Sequence, residues 1–134
     1  MITLPLFIQL AGVVQFIIAA ANFFAPAKLH YAENLRLVSP IVRQIFIVHS
    51  TYIVIVLVGL GLLCLLFTSD LYGASALGKG LGAFLAFFWS LRAAIQFFYY
   101  DRAIKQANPS FTLCFGIAFL ALAMIFGAAT FHNL

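Results

Sequence analysis

A chain of 134 residues with 66% hydrophobic and only 7% charged side chains cannot cover a water-facing surface, since soluble domains carry about 25% charged residues. Its formal net charge of +4 comes from basic residues scattered along the chain with no basic run, which excludes a nucleic-acid interface. Lipid as the solvent removes the conflict, because apolar faces then need no polar cover.

The first apolar run spans about 4–25, carries no charge and ends at Pro26. No basic residue precedes it, so it reads as a retained helix, not a cleaved signal. The first loop, about 26–40, mixes Leu29, Tyr31, Leu35 and Leu37 with Lys28, Glu33 and Arg36. It fits either a short helix in the headgroup plane or a polar connector. The second run, about 41–67, has Arg43 near its start and gives way to Ser69, Asp70 and Gly73. The third, about 79–100, is interrupted by Arg92, and the loop at about 101–109 ends in Asn108-Pro109. The fourth, about 110–131, is again uncharged. Each run is long enough to cross about 30 Å of hydrocarbon at 1.5 Å per residue.

The expectation is one integral membrane domain over 1–134: an all-α, four-helix transmembrane bundle, up-down-up-down. Lys28, Arg36, Arg43, Arg102 and Lys105 flank the first and third loops, against Lys79 alone at the second. The excess places loops one and three in the cytoplasm and both termini outside, in the inner or plasma membrane if the cell is bacterial. Arg43, Arg36, Lys28 and Arg102 are then headgroup contacts. Small residues at helix contacts are expected at Gly78 and Gly82, Gly59 and Gly61, and Ala123 and Gly127. Cys64 and Cys114 lie in apolar runs without metal-ligand or disulfide spacing, and read as small core hydrophobes.

The informative residues are those that lipid should reject. Arg92 lies nine residues before Asp101, about 13 Å of helix and so close to the midplane. His49, nine residues after Pro40, and Gln15, about ten before the end of the first run, count to similar depths. Gln96 and Tyr99 follow Arg92 by four and seven, on one face. With Asn22 and Gln44 they suggest a polar layer in the inner half of the bundle. Ionisable groups at such depth mark function by default. No carboxylate is available to Arg92, so its acceptors are Gln, Tyr and His side chains, water, or an anionic ligand whose phosphate or carboxylate suits a planar guanidinium. Two readings stand: an internal network, or an inner-leaflet cavity for an anionic lipid or amphipathic ligand. Ala19-Ala20-Ala21-Asn22-Phe23-Phe24 also parallels Ala93-Ala94-Ile95-Gln96-Phe97-Phe98, a similarity that two apolar helices acquire readily by chance.

Arg92 and Tyr99, seven apart, and Arg36-Leu37-Val38-Ser39-Pro40 resemble the helix-three stripe and first loop of the small membrane enzymes of eicosanoid and glutathione metabolism, the MAPEG family. The resemblance implies a trimeric four-helix transferase acting on a lipophilic substrate. The chain departs from that family on helix two, where Arg43-Gln44 is followed by His49 and neither the Asn nor the Glu of the family signature is present.

No hydrolase, nucleotide or metalloprotease motif occurs, and no metal set or cofactor is evident. Haem held by two histidines within one chain would need a partner for His49 at its own depth, and His30 and His132 lie elsewhere. The sequence therefore favours a binding or accessory protein, standing alone, in a homo-oligomer or as a subunit of a larger membrane complex. The alternatives are a membrane-embedded enzyme and an oligomeric transporter.

Overall fold

The computed structural model describes residues 3–73, 75–99 and 109–132. Arg102, Lys105 and the rest of the third loop before Pro109 lie outside them. The described chain is almost entirely helical, and no strand occurs among the described residues. It contains four helices long and apolar enough to cross a membrane. It divides into two compact units, Gly12–Leu66 and Met1–Ala11 with Phe67–Leu134.

Helix α1 runs Leu4–Lys28 and contains Pro26, so the proline does not end it as expected. Proline removes one N–H and crowds the preceding turn. In the last turn that disturbance is confined to the helix end, and the amide of Leu29 still bonds the Ala25 carbonyl at 2.8 Å. The turn comes at His30, which is left-handed at φ 54°, a conformation that histidine tolerates better than most residues. Asn34 donates its side-chain amide to the Leu29 carbonyl at 2.9 Å, satisfying an orphan acceptor at the end of α1. The first loop is thus a folded element: α2 at Tyr31–Asn34 and a 3-10 turn at Leu35–Leu37.

Helix α3 runs Pro40–Leu66, with proline in the first position where no N–H is missed. The Nε of Arg43 donates to the Leu35 carbonyl at 3.0 Å, and Phe46 meets Tyr31 edge to face at 5.2 Å. Both tie α3 to the loop before it. Helices α1 and α3 come together at Gly12 and Gly61, where a Cβ on Gly12 would lie 2.9 Å from the Gly61 carbonyl oxygen. Small residues permit such backbone approach in membranes. Gly59, expected to share that role, has nothing within 4 Å of its Cβ position.

In the other unit, α4 spans Thr68–Tyr72 and α5 spans Ala76–Ala94, extended by a π-helical turn at Ile95–Tyr99. Helix α5 starts three residues before the expected boundary because Ser75 caps it, its hydroxyl accepting from the Gly78 amide at 3.0 Å. Helix α6 is Pro109–Phe131. Gly82 lies beside Thr130, Trp89 beside Phe119 and Gln96 beside Thr112, so α5 and α6 run antiparallel. Leu85, Trp89, Ala93, Phe119, Leu122 and Phe126 are buried on these two helices, with Trp89 and Phe119 in contact across them. At one end of this pair Tyr72 stacks on His132, with ring centres 4.3 Å apart.

Candidate functional site

Helix α5 presents Trp89, Arg92, Ala93 and Gln96 toward α6 at the helical spacing of three and four. The Arg92 side chain is half-buried, and its guanidinium carbon stands 4.8 Å from the centre of the Phe119 ring. Phe119 also stacks on Trp89, with centroids 5.5 Å apart and planes 21° apart. The guanidinium therefore lies toward the Trp89 level, in the direction its Cα–Cβ bond tilts. A ring face attracts a cation by its quadrupole, but the N–H fork in the guanidinium plane is what matches a carboxylate or phosphate.

One turn further on, the buried Gln96 donates its amide to the Thr112 carbonyl at 3.4 Å. Phe97, the next residue, packs against Gly116 so closely that a Cβ there would collide with its ring. Gln96 and Phe97 thus both meet α6, and the backbone widens into the π turn at this point. Such turns often accompany functional sites. Tyr99 closes the segment and is 80% exposed. The Trp89 indole N–H is buried and has no hydrogen-bond partner among the described residues.

The seven candidate residues divide between the units. Arg92, Gln96 and Tyr99 belong to the α5–α6 unit, and Gln15, Asn22, Gln44 and His49 to the other. Within that second unit they do not form a layer. Gln15 is fully buried and donates to the Cys64 sulfur at 3.3 Å. Cys64 is 15 residues from His49, about 22 Å along α3, so Gln15 and His49 are not level with one another. The expected common depth was counted along each helix from its own end, whereas the levels are set by where α1 meets α3, at Gly61. Asn22 folds back on its own helix, donating to the Ile18 carbonyl at 2.8 Å. His49 does the same through Nδ1 and the Ile45 carbonyl at 2.8 Å, and Gln44 is exposed. The Asn22 and Gln96 segments thus differ in structure despite their similar sequences: one amide stays on its helix and the other reaches across to α6.

Lys28 and Arg36 are exposed at the last turn of α1 and in the 3-10 turn, while the half-buried Arg43 binds the chain itself. Phe119 is the site residue that sequence reasoning missed. Trp89, which stacks on it, is buried in the helix contact. Among the described residues no three His, Cys, Asp or Glu side chains gather where they could hold a metal ion. Comparison with protein families, with curated proteins and with solved structures finds no match.

Proposed function

We propose that this chain is a multi-pass membrane protein of the binding or accessory kind, in which the Arg92–Gln96 segment receives an anionic lipid headgroup or similar amphiphile from the cytoplasmic leaflet. One observation carries the reading. A guanidinium inside an apolar span rests on the Phe119 ring immediately before a π turn that holds a buried amide. The exposed Tyr99 beyond it suits a headgroup at the membrane surface. The orientation that goes with this reading has both termini outside and the first and third loops in the cytoplasm, as the basic residues favour.

Native mass spectrometry of the protein in mixed phosphatidylglycerol and phosphatidylcholine discs tests it. The wild type is expected to retain phosphatidylglycerol selectively, Arg92→Leu to lose that selectivity, and Arg92→Lys to keep part of it. Free inorganic phosphate at millimolar concentration separates headgroup recognition from simple anion binding: competition by phosphate assigns the site to the bare anion. Equal retention of both lipids by wild type and Arg92→Leu would refute the proposal.

A further inference from the structure

Helix α3 is the least buried of the four spans. Its buried face is Leu57, Gly61 and Cys64. Roughly a third of a turn round the helix from it, Ile45, His49, Tyr52, Val56 and Gly59 recur at four and three residues, and all are exposed. That spacing is the seam of a helix pair, and Gly59 leaves its middle open. An apolar stripe alone would be ordinary lipid-facing surface. His49 and Tyr52 make this one different.

The carbonyl of Ile45 can only accept, so the bond it makes to Nδ1 of His49 puts the proton of the neutral ring on Nδ1 and leaves Nε2 an acceptor. His49 lies nine residues into the span, about 13 Å from its start, where lipid supplies no donor. Tyr52, one turn along, is 63% exposed and carries a hydroxyl donor. Neither Nε2 of His49 nor the Tyr52 hydroxyl has a partner among the described residues. A stripe that holds one donor and one acceptor complements itself under two-fold symmetry, which is what an interface between identical subunits requires. Two copies inserted the same way into the membrane keep the two stripes at equal depth.

We infer that this stripe of α3 joins two copies of the chain, with His49 of each accepting from the tyrosine hydroxyl at position 52 of the other across a seam that closes at Gly59. Interhelical hydrogen bonds and close packing at small residues both favour helix association in lipid. The inference uses no part of the Arg92 segment and stands apart from the ligand reading.

Cysteine cross-linking in lipid bilayers tests it, on a background in which the exposed Cys114 is replaced by alanine and the buried Cys64 is kept. Oxidation of Val56→Cys is expected to give a covalent dimer. Ile47→Cys, exposed on the far side of α3, is expected to give none. His49→Leu and Tyr52→Phe should each weaken self-association roughly tenfold. Both side chains are exposed, so helix content should not change, and Tyr52→Phe removes a single oxygen. A protein that stays monomeric at high protein-to-lipid ratio, or that cross-links equally at position 47, overturns the inference. So does a dimer indifferent to both substitutions. Capture of a different membrane subunit, lost on His49→Leu, would assign the stripe to a foreign helix and overturn self-association.

Discussion

The guanidinium carbon of Arg92 lies 4.8 Å from the centre of the Phe119 ring, so the one charge deep in α5 is met by an aromatic face on α6. Cation–π attraction is strongest where the contact is desolvated, as in lipid, reaching about 2 kcal/mol or more. A double-mutant cycle of Arg92→Met and Phe119→Leu, read by SDS-induced unfolding, is expected to give a coupling energy of about 1 kcal/mol. Phe119 also stacks on Trp89, so the cycle is repeated with Trp89→Leu in place of Arg92→Met to separate the two contacts. Additive effects for Arg92 and Phe119 would mean that the ring is only a neighbour.

A second prediction concerns the opposite end of the same helix pair. A Cβ on Gly82 would sit 2.6 Å from the Thr130 hydroxyl oxygen, which already donates to the Phe126 carbonyl at 2.8 Å and is held in place. Gly82→Ala is expected to destabilise the fold by about 1–3 kcal/mol, the usual cost of overpacking. Adding Thr130→Ala should recover part of the loss by removing the obstructing oxygen. Gly127→Ala, with nothing within 4 Å of the new methyl, should stay within about 0.5 kcal/mol of wild type. Equal effects at positions 82 and 127, in the same unfolding assay, would contradict the close approach.

The spans were legible because long uncharged runs need no tertiary information to declare themselves. Their ends were less so. Pro26 reads as a stop, yet the helix passes through it and turns at His30. Ser75 lies outside the apolar run that follows but caps α5. Arg92 announced itself as a charge among apolar residues. Its partner did not, because Phe119 is one of 16 phenylalanines and only the register of α5 on α6 selects it. The supposed polar layer failed at Gln15 for a related reason. Depth counted along one helix says nothing of where that helix meets the next, and Gly12 fixed the meeting point without any signal of its own.

The third prediction follows from that meeting point. Gln15 donates to Cys64 at 3.3 Å in a fully buried position, next to Gly12 and Gly61. Cys64→Ser keeps an acceptor of similar shape, whereas Cys64→Ala removes it. Alanine is therefore expected to be less stable than serine by about 1 kcal/mol, the net worth of a buried hydrogen bond. Gln15→Leu should bring the two variants level, since the donor is then gone. A serine–alanine gap that persists in the Gln15→Leu background would show that the sulfur acts through packing alone.

The fourth prediction joins the backbone to the proposed ligand. Phe97 fills the space above Gly116 while Gln96 reaches Thr112, and both residues lie within the π turn. Gly116→Ala would drive the Phe97 ring away from α6 and pull the turn toward regular α geometry. That shift rotates Gln96 out of reach of Thr112 without touching Arg92. Selective retention of phosphatidylglycerol should fall several-fold if Gln96 helps present the site, and Phe97→Leu, by relieving the crowding, should restore part of it. Gly116→Ala is also expected to cost about 1–3 kcal/mol in stability, so retention is compared with that of Gly82→Ala, which is predicted to be destabilised to a similar degree at the other end of α5. A parallel loss in both variants would reduce the effect to general loosening. A loss confined to position 116 would tie the π turn to the ligand.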